Sequence, residues 1–311
     1  SNAEAMGKYF KEFGPAIMSA LNPMTLLAAS GLLLGKFLEG IVQKYKDLAG
    51  EMKVSLLQAK MLHETQLDTI TSQKNQFATM QDIQAIQTEM IGSRGKLINL
   101  TTKEVKELTI GLAESGKAFG YGSEQAAKMH KVFRNIGADD KLALNLQQTV
   151  GLMAEAAGLS PQIISQDLTD ASEEVATYFA GMPQKAADAA IQTRKMGMSL
   201  KQAGEIAQKM LNLEGFMTDM YELQAMTGGG IDFSSAFDKG LMGDIQGMAK
   251  DIMNSIGTTA QLNEMDYLTR MKIAKTLGMS VEDLSKSVRF NEQMVSLGES
   301  QGKELEKYRD R

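Results

Sequence analysis

An all-α fold is what this sequence predicts, with a long N-terminal helix or helical hairpin followed by a multi-helix bundle. Three observations carry that expectation. Ala, Leu, Met, Gln, Lys and Glu are abundant, while there are only four prolines, no tryptophan and 6% aromatics. That balance favours helices over strands. From Ile41 to Met90 apolar residues recur at steps of three and four, the spacing of one helix face. After Thr101 the chain is punctuated by caps and glycines at short intervals, as closely packed short helices require.

Taken in order, Ser1-Asn2-Ala3 reads as the scar of a cleaved expression tag, so the chain is expected to be a piece of a longer protein. Residues 4–97 form an apolar segment and a long amphipathic region, and 98–311 a compact multi-helix domain. The apolar segment, "NPMTLLAASGLLLGKFLEG" (22–40), carries Leu26, Leu27, Leu32, Leu33, Leu34, Phe37 and Leu38. No charge occurs from Phe13 to Gly35, a window of 23 residues that is long enough to span a bilayer. Asn22 and Pro23 split it. Proline pushes the preceding residue toward extended geometry, so a helix starts there with Asn22 as cap. The uncharged remainder, Met24 to Gly35, is 12 residues, the length of a buried helix rather than a membrane span.

Ile41, Tyr45, Leu48, Met52, Leu56 and Ala59 then form a narrow stripe close to a coiled-coil seam. After the polar passage "TITSQKNQ" (69–76) it resumes as Phe77, Met80, Ile83, Ile86 and Met90, closed by "GSRG" (92–95). One stripe cannot bury itself. It needs a partner helix, from later in the chain or from another copy, so self-association through helices is expected.

The remaining elements announce themselves by their ends. Thr101 with Glu104 forms a capping box, and "GYGS" (120–123) ends one helix and caps the next. "GLSP" (158–161) combines a terminating glycine, a Ser cap and a first-turn proline, and "GMPQ" (181–184) gives another break. One corner is used twice, in "MGMSLKQAGEIAQKM" (196–210) and "LGMSVEDLSKSVRFN" (277–291). In each, Gly197 or Gly278 suits a left-handed helix end, Met198 or Met279 packs back on it, and Ser199 or Ser280 caps the next helix. Between them, Gly228–Gly230 marks a tight connection, with Asp232, Ser234 and Ser235 available to cap the helix after it. No Gly-Lys-Ser/Thr follows that glycine run and no strand precedes it, so it does not read as a phosphate loop.

Composition narrows the function. A net charge of −5 gives no electrostatic footprint for the phosphate backbone, so no specific nucleic-acid binding is expected. The absence of cysteine excludes disulfides and thiolate sites. The 23 methionines outnumber the 11 phenylalanines and 7 tyrosines together, implying interiors and interfaces that tolerate repacking. His63 and His130 have no second ligand at H-x-x-x-H spacing, so neither points to a metal. Asp139–Asp140 and Glu173–Glu174 fit helix starts, where negative charge meets the positive dipole end. No serine elbow, zinc-protease motif or EF-hand loop occurs, so neither a catalytic site nor a cofactor is expected. The competing readings are a helical enzyme with a scattered site, and an envelope-associated or pore-forming α-helical protein acting through residues 13–42.

The residues also resemble a family. "NPMTLL" (22–27) followed by "DLAGEM" (47–52) is similar to tail tape-measure proteins of large contractile-tailed bacteriophages. The fuller likeness runs from Ala186 to Ile252. It comprises the helix pair Met196 to Leu213, then Glu222-Leu223-Gln224-Ala225, then Gly240 to Ile252. "LNEMDYLTRMKIAKTLGMSVEDLSK" (262–286) resembles a further helix corner of that family. Gly215 and the triple glycine depart from its pattern. The resemblance implies a structural virion component, made in the host cytoplasm, that sets tail-tube length and leaves at infection. Its implied partners are further copies of itself, tail-tube and tail-tip proteins, and the host envelope.

Overall fold

The computed structural model describes residues 43, 46, 47, 66, 79–92 and 101–309. Among these the fold is all-α, with fourteen helices and no strand. The chain divides into compact units Ser1–Asp68 and Thr69–Arg311, and all fourteen helices belong to the second. The apolar segment and the stripe from Ile41 to Ala59 lie outside the described residues.

The bundle begins earlier than residue 98. Helix α1 (Met80–Gly92) starts behind a Thr79 cap and packs on α2 (Thr102–Ala118) and α3 (Ser123–Asn135). Ile83 and Ile86 are fully buried there. Residues 80–92 thus share one compact unit with 101–309. The reason is the stripe itself: its second half finds its partner helices later in the same chain.

Helices α4 (Asp140–Ala156) and α5 (Pro161–Asp170) close the first layer, with the short α6 (Ser172–Tyr178) against α3 and α5. Helix α7 (Pro183–Lys195) then runs through the middle. It touches α4, α5, α8 (Leu200–Met210), α11 (Ile245–Ile256) and α14 (Val281–Arg309). Its sequence explains that position, because Ala186, Ala187, Ala189 and Ala190 are all buried and small side chains let helix axes approach closely. Helices α9 (Leu213–Thr227), α10 (Ser234–Leu241), α12 (Thr259–Glu264) and α13 (Tyr267–Leu277) complete the second half. One continuous apolar cluster runs from Ile86 to Met294.

The predicted ends form largely as read. Thr101 and Glu104 make a reciprocal capping box, as do Ser199 and Gln202. The reused corner closes identically in both places. Met198 N–H donates to Thr193 C=O at 3.1 Å and Gly197 N–H to Arg194 C=O at 2.9 Å. Met279 N–H donates to Ala274 C=O at 2.9 Å and Gly278 N–H to Lys275 C=O at 3.1 Å. Met198 is fully buried and Met279 packs against the core. Elsewhere the chemistry shifts. Ser160 precedes Pro161 without a side-chain cap bond, and Ser123 gives its hydroxyl to Asp82 instead of capping α3. Before α10, Asp232 Oδ1 accepts from the Ser234 N–H at 2.9 Å.

Candidate interaction surfaces

Each corner is held by the helix that leaves the other. The Lys209 ammonium, in the last turn of α8, donates to the Lys275 carbonyl in the last turn of α13. Asn291 on α14 donates to the Lys195 carbonyl at the end of α7, 3.2 Å away. Both bonds satisfy C-terminal carbonyls that a helix leaves without internal partners. Gly197 has φ +78°, and a Cβ there would sit 2.1 Å from the Ser287 carbonyl oxygen. A left-handed turn and backbone contact with α14 coincide at that residue.

Charged side chains join the other helices. The Asp82 carboxylate caps its own helix through Thr79 and reaches Ser123 at 2.8 Å and Lys117 at 2.9 Å. Burial pulls this carboxyl upward, but the bonds from Thr79, Lys117 and Ser123 outweigh it and hold it well below the usual carboxylate range. Arg194 grips Asp167 with two guanidinium nitrogens across α7 and α5. Burial nevertheless pushes the Asp167 carboxyl up, against the pull of that guanidinium. Lys272, on α13, bridges to Asp219 at 2.7 Å and to Glu222 on α9. Buried His130 meets Asp140 at 3.0 Å through Nε2, and Arg134 meets the same carboxylate at 3.1 Å. The other ring nitrogen of His130 is buried without a hydrogen-bond partner. These groups join helices to one another. Among the described residues no group of three or more His, Asp or Glu is placed to hold a metal ion, and no helix is long and apolar enough to cross a membrane.

Of the proposed interaction residues, those from Leu26 to Leu38 and from Ile41 to Ala59 lie outside the described residues. Two surfaces that the sequence pattern does not disclose lie on the second half of the bundle. At one end, Leu211 and Leu213 flank the α8–α9 corner, while Leu241 and Met242 flank the α10–α11 corner; all four are exposed, Met242 to 84%. The corners are neighbours, since a Cβ on Gly240 would lie 3.0 Å from the Met210 sulfur. Phe216 stacks on Phe237 at 5.3 Å and ties α9 to α10.

The other surface is a cleft of about 620 Å³ where α9, α11 and α12 end and α13 begins. Met226, Ile231, Asn254, Gln261, Glu264 and Asp266 are among its thirteen lining residues, none of which is basic. Helix C-termini carry partial negative charge, so three helix ends reinforce Glu264, while Asp266 caps the positive N-terminus of α13. Backbone and side-chain bonds from Thr269 lower the Asp266 carboxyl below its ordinary value. Beside it, Tyr267 and Leu268 are each 61% exposed. The cleft was not legible in the sequence, because it joins residues from four separate helix ends.

In comparisons with known proteins, no family model, curated sequence or solved structure matches this chain.

Proposed function

We propose that this chain is a structural, non-enzymatic part of a phage tail, a tape-measure-type protein that fixes tube length and departs at infection. The observation that carries the reading is the doubled G-M-S corner, Gly197 to Ser199 and Gly278 to Ser280, set in the helix-pair phrases that resemble that family. The narrow stripe before the bundle is consistent with it, since a length-setting protein needs an extended helical run as well as folded modules. The methionine-rich core fits a protein that is packed, stored and released, because thioether side chains tolerate repacking.

The direct test uses the phage that encodes the chain. An antibody against residues 101–309 should detect the protein in intact virions. After DNA ejection is triggered, the signal should leave the tails. Purified virions that lack the protein would overturn the reading, and so would tails that retain it in full after ejection.

A further inference from the structure

We propose that the cleft between α9, α11, α12 and α13 docks a basic amphipathic segment of a partner protein. A Lys or Arg side chain enters beside Glu264 and Asp266, and its apolar neighbours lie on Met226, Tyr267 and Leu268. This site stands independently of the tape-measure reading.

Charge complementarity selects the occupant. Three helices end at this cleft, at Thr227, Ile256 and Glu264, and their last-turn carbonyls gather partial negative charge there. Glu264 makes no hydrogen bond or ion pair among the described residues, and the Asn254 amide is likewise unengaged. An anion would face the carbonyl ends and two carboxylates, with no basic lining residue to receive it. A wholly apolar ligand would strand Asn254, Glu264 and Asp266 from water at a cost. A lysine or arginine side chain matches both parts, its charged head toward the carboxylates and its methylene stem along Met226, Ile231 and Met265. The rim then decides between a lone cation and a peptide. Met226 is 47% exposed, and Tyr267 and Leu268, which follow Asp266 on the first turn of α13, are exposed as well. Aromatic and methionine side chains around a charged pocket are the makings of an anchor site for a helical segment. Negatively charged membrane surfaces are repelled by the same field.

The test measures binding of a fluorescein-labelled amphipathic helix of leucine and lysine to the full chain, by anisotropy at low and at physiological salt. Binding should saturate and weaken as salt rises. In the Glu264→Gln/Asp266→Asn variant, affinity should fall about tenfold, with helix content and melting temperature unchanged, because asparagine still caps α13. Tyr267→Ser/Leu268→Ser should weaken binding several-fold at both salt concentrations. A counterpart helix with glutamate in place of lysine should not bind. The proposal is overturned by no binding, by equal binding of the glutamate helix, by undiminished affinity in the carboxylate variant, or by preferential binding to anionic phosphatidylserine vesicles.

Discussion

Asn291 donates its side-chain amide to the Lys195 carbonyl, 3.2 Å away, so the helix that leaves the second G-M-S corner holds the first. The same contact brings the Ser287 backbone against Gly197. Although the corners share a sequence, they have different surroundings. Gly197 faces backbone, whereas the nearest atom to a Cβ on Gly278 would be the flexible Lys209 Cδ, at 3.1 Å.

The two glycines should therefore respond unequally to alanine. Both have φ near +78°, at +78° and +77°, so each substitution carries the left-handed penalty of about 1 kcal/mol. Gly197→Ala must in addition displace α14, and should cost about 3 kcal/mol or more. In Gly278→Ala the lysine can swing aside, and the cost should stay near 1 kcal/mol. Urea unfolding of both variants decides the point. Equal losses would mean that α14 does not lean on the first corner.

Asp167 and Arg194 make the second prediction. Their side chains are 7% and 25% exposed, so removing one partner strands a buried charge. Arg194→Met should destabilise by about 3 kcal/mol at neutral pH, while Asp167→Leu/Arg194→Met should recover most of the loss. The pH dependence derives from the raised Asp167 carboxyl. A raised native pKa means the folded state binds the proton more tightly than the unfolded state, so stability rises as pH falls through that pKa. The Arg194→Met penalty should thus be largest near pH 7 and shrink on acidification. A penalty that grows toward acid would contradict this, as would a double variant no more stable than the single.

Helix α1 supplies the third. Asp82 joins Thr79, Lys117 and Ser123, and Ile83 and Ile86 lie buried behind it. Asp82→Ala should cost about 1–2 kcal/mol, by loss of the cap and of charge-assisted bonds. Exchange of the amides of Met80–Gly92 should accelerate more than that of α7. Because the native carboxyl is lowered, its contribution is complete at neutral pH. It fades only as pH falls below the ordinary carboxylate range toward the native pKa. Uniform acceleration across all helices would show that α1 does not open by itself.

These cases also show what a sequence can disclose. Thr101 with Glu104, Gly197 and Gly278 were legible because a cap or a left-handed turn is decided within six residues. Ile83 and Ile86 were legible as a stripe, but whether their partner lay in this chain was open, since periodicity marks a face and not what covers it. Arg194 and Asp167 lie 27 positions apart, with nothing local to pair them. The cleft at Glu264 and Asp266 is later still in the hierarchy. It exists only because three helices stop at one place.

The last prediction bears on the proposed role and is sharpened by the fold. A tape measure sets tube length through its extended helix, at about 1.5 Å per residue. Since α1 packs on α2 and α3, residues from Met80 onward belong to the folded unit and should not count toward length. The stripe ahead of it should. Removing residues 41–68 in frame, four heptads that include Ile41, Tyr45, Leu48, Met52, Leu56 and Ala59, should shorten tails by about 42 Å. A deletion of equal size across α7 and α8 should instead abolish well-formed tails, because it takes Ile191, Met198, Leu200 and Ile206 out of the common core. Electron microscopy of phage carrying each deletion measures both outcomes. Well-formed tails of unchanged length in the first variant would overturn the tape-measure role for this stretch. Normal tails in the second would show that the bundle contributes nothing to assembly.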